Sequence, residues 1–285
     1  SVAIANQHRG KHLITTNVEH PSVFNSFQFL EQYLGFEVTY LDVNEDGSLN
    51  VTELKDALRN DTILVSIMNV NNEVGSIINP SDWTHVVKEN SNAFTHSDMV
   101  QSIGNIKLQF EHLDMASFSA HKINGVKGSG FLIIRDYITI APLLSGGDQE
   151  YGLRPGTENA PANIVLAKTV RLALERQAQK SEDLKVLNKY LYSQLKLIPQ
   201  VRINSSEHNS VYNIVNISVM GVGSEIMLNA LSERKMYVSA GSTCQSDVHK
   251  RSRVLMSMKV PMEHQQTRIR ISLNTDLSKN DIDTL

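Results

Sequence analysis

From Lys11 to about Asp136, short runs rich in β-branched and aromatic residues alternate with longer stretches of helical character. They read HLITT, VFNSFQFLEQYL, FEVTYLDV, VTELKDALRN, TILVSIMNV, SDWTHVVKEN, AFTHSD, HLDMASFS and GFLIIRD. Short strands spaced by helices join one sheet as parallel neighbours with right-handed crossovers. The rhythm therefore predicts an α/β fold, a mostly parallel sheet flanked by helices. Such sheets carry ligands outside the carboxyl ends of their strands. The loops at those ends read TTNVEH, MNVNNEVG, HSDMVQS and SFSAHK, all rich in side chains that hydrogen-bond or titrate.

Glycine and proline gather in APLLSGGDQEYGLRPGTENAP, which predicts a long irregular crossing away from the sheet. After it, Ala160 to Ile198 reads as two helices, the second capped near Ser181 by a Ser-Glu-Asp start. The remainder, with strand-like VYNIVNISV, YVSA and TRIRISL around helix-like SEIMLNALSE, fits a smaller α+β unit. The expected division is a large α/β domain over 1–158, linking helices over 159–198 and a small C-terminal domain over 199–285.

A formal charge of −3, from 27 basic and 30 acidic residues, offers no net field for a polyanion, so direct nucleic-acid binding is not expected. No apolar run reaches membrane-spanning length, and the opening SVAIANQHRGK lacks the order of a secretory signal. A cytoplasmic chain is the expectation. The only cysteine, Cys244, excludes an internal disulfide and a CxxC zinc site. It sits in YVSAGSTCQSDVHK among serines and a glycine, not in the apolar run that suits a packing cysteine. A free thiol, a dimer-linking thiol and a nucleophile all remain open on that ground.

Four loops carry candidate chemistry. In SFSAHKINGVKGSG a β-like run ends on Ser119, His121 and Lys122. A strand-end lysine whose pKa is lowered by burial can form a Schiff base with an aldehyde cofactor or carbonyl substrate, the alternative being a solvated loop lysine. The glycines that follow precede a strand, which argues against a P-loop. In HSDMVQS, Asp98 could pair with a protonated pyridine nitrogen and Gln101 with a ring oxygen, although an Asx turn or helix cap also explains the aspartate. His96 with Asp98 is too small a set for a metal. His20 in TTNVEHPSV could stack on a planar cofactor and exchange protons near neutral pH. Asn71 and Asn72 could bind a ring hydroxyl or a substrate, or serve as ordinary turn residues.

Taken together, TTNVEHPSV, VNNEVG, HSDMVQS, SFSAHKINGVKGSG, GGDQEYGLRPGTEN, GSTCQS and RIRISL occur in the order found in NifS/IscS-like cysteine desulfurases. The resemblance spans nearly the whole chain. These proteins belong to the class V aminotransferase group of enzymes with pyridoxal 5'-phosphate and fold type I. The resemblance implies that Lys122 binds the cofactor covalently, Asp98 pairs with its pyridine nitrogen and His20 stacks on its ring. Gln101 and Asn72 would hold the ring oxygen, and Ser119 and His121 the phosphate, while Thr157 in RPGTEN would reach the phosphate of a partner subunit in a homodimer. Arg270 resembles the clamp for the substrate carboxylate, with Arg268 on the same strand face as a structural companion. Cys244 resembles the nucleophile that takes sulfur from L-cysteine as a persulfide, leaving alanine. Its short GSTCQS form resembles the NifS/IscS branch more than the SufS-like branch. A sulfur-acceptor protein is then implied as partner, an iron-sulfur scaffold or a tRNA-thiolating enzyme.

Family members usually begin with a Ser/Gly/Thr-rich turn ahead of a phosphate-binding helix, whereas this chain opens inside that helix at SVAIAN and ends at DIDTL within what reads as the last helix. The N-terminal part of the large domain is therefore expected to be missing. Other readings are a selenocysteine lyase or an aminotransferase of the same class, and a fold-retaining protein without the cofactor. A Cys-His hydrolase built on Cys244 and His249 lacks an orienting carboxylate and an oxyanion motif.

Overall fold

The computed structural model describes residues 1–241 and 251–285. The chain opens with α1 (Val2–Ala5), β1 (His12–Thr16), α2 (Pro21–Leu34), β2 (Glu37–Leu41), α3 (Val51–Ala57) and β3 (Thr62–Ser66). It continues with α4 (Pro80–Asn90), β4 (Phe94–Asp98), β5 (Met115–Ser119) and β6 (Gly130–Ile134). These strands make one sheet in the order β2-β1-β3-β4-β5-β6, every pair parallel except β5 with β6. The exception follows from the connection. A 3-10 turn over Ala120–Ile123 and a loop with Asn124 and Gly128 at positive φ join β5 to β6, a connection too short for the crossover that a parallel neighbour needs.

Because β1 runs to β2 on one side while β3 lies on the other, the strand order reverses between β1 and β3. A crevice opens at such a point, outside the carboxyl ends of the strands. Strands β1 and β3 are buried along their whole length, as expected where helices cover both faces. The period of two is explicit. Leu13 and Leu64 pack with Phe27, Leu30 and Met115 on one face, while their neighbours Ile14 and Val65 pack with Leu54, Trp83 and Val87 on the other. Two imidazoles bridge strands: buried His12 contacts Thr62 and Thr39, and half-buried His96 contacts Ser66 and Ser117.

Beyond the sheet, α5 (Ala160–Leu195) is one unbroken helix, correcting the expected pair. Ser181 lies inside it rather than at a cap. No glycine or proline occurs between Ala162 and Leu195 to break the backbone ladder, and Gln179–Asp183 and Lys185–Glu182 contacts run along its surface. At 1.5 Å per residue it is about 54 Å long, enough to serve two cores. Leu184, Leu187 and Leu191 pack against a second sheet, and Val170 against the first.

That second sheet, β7 (Val201–Ile203), β8 (Ile214–Val219) and β9 (Arg268–Ser272), is antiparallel in the order β7-β8-β9. Between its strands lie α6 (Ser224–Glu233), α7 (Arg253–Ser257) and α8 (Met262–Gln265), and α9 (Lys279–Thr284) follows. The expected YVSA strand reduces to one bridge, Ser239 to Arg270. Tyr237 is 81% exposed while Val238 packs against the smaller core, and only Ser239 meets β9 closely enough to pair. Helix α7 returns to the larger sheet, where Val254, Leu255 and Met258 join the core of Ile14 and Trp83. No helix of the described residues is long and apolar enough to cross a membrane.

Candidate active site

A cavity of about 290 Å³ opens at the carboxyl ends of the larger sheet's strands. His20 enters it from the loop after β1, Asn72 from the loop after β3, and Asp98 and Gln101 from the end of β4. The end of β5 and the turn beyond it supply Ser119, His121 and Lys122, while Arg270 reaches in from β9 of the smaller sheet. Eight residues singled out from five segments of the sequence thus line one cavity.

Each is held by a local device. His20 caps α2: its Nδ1 accepts the Ser22 N–H at 3.2 Å, which assigns the proton of the neutral ring to Nε2. Burial lowers its pKa, as do Lys122 and Arg253, against the opposing pull of Asp98 and Glu73. Asp98 is 6% exposed. One oxygen accepts the Val100 N–H at 2.9 Å, and burial lifts the carboxyl above its ordinary range despite that bond, His20 and Lys122. A cationic group placed in the cavity would relieve that penalty. Ser119 Oγ and His121 Nδ1 lie 2.8 Å apart, a polar pair beside Lys122. Burial lowers the His121 pKa, with Lys122 and Lys127 adding to the effect.

The Asn72 loop is shaped by its neighbour. Asn71 Oδ1 accepts the N–H groups of Glu73 and Val74 at 2.8 and 3.0 Å, and Asn71 Nδ2 donates to the Val18 carbonyl at 3.0 Å. The loops after β1 and β3 are thereby joined. Gly75 closes the turn at φ +76°, with Ile214 3.1 Å from where a Cβ would stand. Arg270 Nη1 donates to the Asn72 carbonyl at 2.8 Å, which aligns the guanidinium across the two sheets.

One sequence expectation, the burial of Lys122, comes out differently. Lys122 is exposed rather than buried, because it lies in the 3-10 turn beyond the end of β5 and not on the strand itself. Thr157 is exposed in the crossing before α5 and does not line the cavity. Cys244 lies outside the described residues. Sequence reasoning missed Glu19, which is fully buried beside His20. Its Oε1 accepts from Thr16 Oγ1 at 2.8 Å and from the Met68 N–H at 2.9 Å, and burial pushes its pKa up to about 8. It also missed Glu73 and Arg253. The signal available was a charged residue next to a residue already named, which by itself is too common to notice.

The aminotransferase class-V family matches residues 1–285. The cysteine desulfurase IscS of Dictyoglomus turgidum is 40% identical over 284 residues, covering 99% of this chain and 72% of that protein. The cysteine desulfurase IscS of Clostridium botulinum strain Hall is 38% identical over 287 residues, with the same coverage. The solved structure of a NifS-like protein superposes with a TM-score of 0.91 at 35% identity, covering 99% of this chain and 75% of the other. A match to this family over the whole chain, with relatives of this identity along nearly all of it, means that the chain belongs to the aminotransferase class-V family.

Proposed function

We propose that the chain is a pyridoxal-phosphate-dependent cysteine desulfurase, a sulfurtransferase acting on L-cysteine. The observation that carries this is the meeting of Lys122, Asp98, His20 and Arg270 in one cavity fed by both sheets. Relatives named cysteine desulfurase IscS support the choice of reaction.

The donor set fits the cofactor. Lys122 supplies a primary amine for its aldehyde, and Asp98, a carboxyl whose burial is relieved by a cation, would hold the pyridine nitrogen. His20 would stack on the ring. Gln101 and Asn72 would hold the ring oxygen, and the Ser119–His121 pair the phosphate. When bound, pyridoxal phosphate supplies an electron sink that makes bonds at the substrate's carbons easier to break.

The chain's own groups do the rest. Arg270, fixed to the Asn72 carbonyl, offers a planar fork to the carboxylate of L-cysteine. His20 Nδ1 is engaged by Ser22, so its exchangeable proton sits at Nε2. The Cys244 thiolate attacks the substrate sulfur. One S–S bond forms, the C–S bond breaks, and L-cysteine plus a thiol become L-alanine plus a persulfide, with no outside oxidant. The persulfide then passes to an acceptor protein, such as an iron-sulfur scaffold or a tRNA-thiolating enzyme.

A homodimer in the cytoplasm belongs to the same reading. From β6 to the first turns of α5, Leu132, Ile133, Leu143, Tyr151 at 97% exposure and Ile164 at 71% leave apolar side chains in water, and Thr157 falls within this stretch of the sequence. A second copy covering this stretch would bring Thr157 toward the partner's phosphate. A single cysteine agrees with a reducing compartment.

The test is alanine formation from L-cysteine with added pyridoxal phosphate, beside Lys122→Ala and Cys244→Ser. Alanine from the parent and none from either variant supports the reading. Undiminished sulfur release by Cys244→Ser would show that Cys244 is not the nucleophile.

A further inference from the structure

The Asn71–Gly75 loop is built without help from the Glu73 side chain, because the Asn71 amide makes the turn. Yet the Glu73 residue is only 7% exposed, and a buried ionised group is costly unless paired. What the carboxylate touches is distant in sequence. Ser252 Oγ donates to Glu73 Oε2 at 2.6 Å, and the same Ser252 oxygen accepts the Leu255 N–H at 3.1 Å as the cap of α7. A hydroxyl has one proton. Giving it to Glu73 leaves the lone pairs turned toward Leu255, so the carboxylate orients the cap.

The next residue completes the anchor. The Arg253 guanidinium lies 3.5 Å over the Phe24 ring and donates to the carbonyls of Asn17 and Glu19 at 3.3 and 3.2 Å, in the loop that carries His20. On the other side, Ser239 pairs with Arg270 through its backbone, and Arg270 is tied to the Asn72 carbonyl. Two consecutive residues, Asn72 and Glu73, thus hold chain positions 239 and 252. The sole cysteine lies between those positions in sequence.

We infer that Glu73 is a positioning residue for sulfur transfer: its carboxylate fixes Ser252, and with Arg253 the far side of the cysteine-bearing segment, to the loop that also fixes Arg270 at the cavity. This rests on the desulfurase reading. Glu73 touches neither substrate nor cofactor in this assignment. It acts through Ser252.

Cys244 is the only thiol in 285 residues, so the rate of alkylation by iodoacetamide reads one atom, whether or not the chain desulfurates cysteine. In the cofactor-loaded protein, Glu73→Ala is expected to raise that rate about threefold or more. The kcat for alanine formation should fall about tenfold to a hundredfold, with KM for L-cysteine and the near-visible cofactor band little changed. Glu73→Gln keeps an acceptor oxygen and should recover both readouts. Ser252→Ala removes the same bond from the other end and carries the test should Glu73→Ala not fold. An unchanged alkylation rate in the folded alanine variants overturns the assignment, as does failure of Glu73→Gln to recover it. A parent chain that alkylates but yields no alanine overturns the desulfurase reading instead, and the alkylation series still decides the Glu73–Ser252 tether.

Discussion

Ser239 and Arg270 bind each other in both directions: the Ser239 N–H donates to the Arg270 carbonyl at 3.1 Å, and the Arg270 N–H to the Ser239 carbonyl at 2.6 Å. The backbone of Arg270 is therefore fixed between β8 and position 239, while its side chain is fixed by the Asn72 carbonyl. A guanidinium so aligned has little freedom to lose on meeting a carboxylate.

Arg270→Lys should raise KM for L-cysteine about tenfold or more while kcat falls less, because the ammonium keeps the charge and loses the two-point fork. Steady-state alanine formation checks it. An unchanged KM would mean that the substrate carboxylate binds elsewhere.

Asp98→Asn separates holding the cofactor from using it. The amide can accept the Val100 N–H as the carboxylate does at 2.9 Å, so the loop should keep its shape. Lys122 is untouched, and a near-visible band should still appear with added pyridoxal phosphate. Alanine formation should drop about a hundredfold or more, since a neutral amide cannot keep the pyridine nitrogen protonated. Full activity in the variant would remove Asp98 from its assigned place.

The strand ends were legible because three signals coincide there: a β-rich run, its stop, and a polar residue just past it. HLITT, TILVSIMNV and AFTHSD each deliver a strand, and His20, Asn72 and Asp98 follow in the loops or at the strand's last residue. The antiparallel turn of β6 and the unbroken α5 were less legible. A cap-like Ser-Glu-Asp in a long helical stretch looks the same whether or not a helix ends before it. Least legible was the pairing of Glu73 with Ser252, 179 residues apart, since neither periodicity nor spacing encodes such a contact. Arg253 reads in sequence as one more surface cation, although its ring contact and carbonyl bonds join α7 to the loop of His20.

Asn71→Ala should destabilise the protein by about 2–4 kcal/mol, since three buried hydrogen bonds lose their partner and the backbone donors of Glu73 and Val74 are left behind. Denaturant unfolding measures it. Activity should fall further than stability explains, because the loop aims both Asn72 and Glu73. Asn71→Asp keeps the acceptor for the two N–H groups but loses the Nδ2 bonds to the Val18 carbonyl and Met68 Sδ and sets a buried carboxylate oxygen against that carbonyl, so it should also be less stable than the parent.

Two groups should tilt the pH dependence of stability in opposite senses. Glu19 has its pKa pushed up to about 8 from 4.5, so between those values the folded state holds a proton that the unfolded chain has released. Its contribution is whole below about pH 4.5 and is lost as pH rises through 8. His96, half-buried between Ser66 and Ser117, is pushed down to about 4 from 6.5, so the unfolded chain takes up a proton first as pH falls. Its contribution is whole above about pH 6.5 and is lost on acidification toward 4. Between pH 4.5 and 6.5 the two slopes oppose each other, and the parent curve should be flat there. Glu19→Gln imitates the protonated acid without titrating, so its melting temperature relative to the parent should climb from pH 6 to 9. A difference that stays constant over that range would mean that Glu19 is already ionised in the folded protein, and that its buried charge is balanced by Arg253 more fully than burial alone allows.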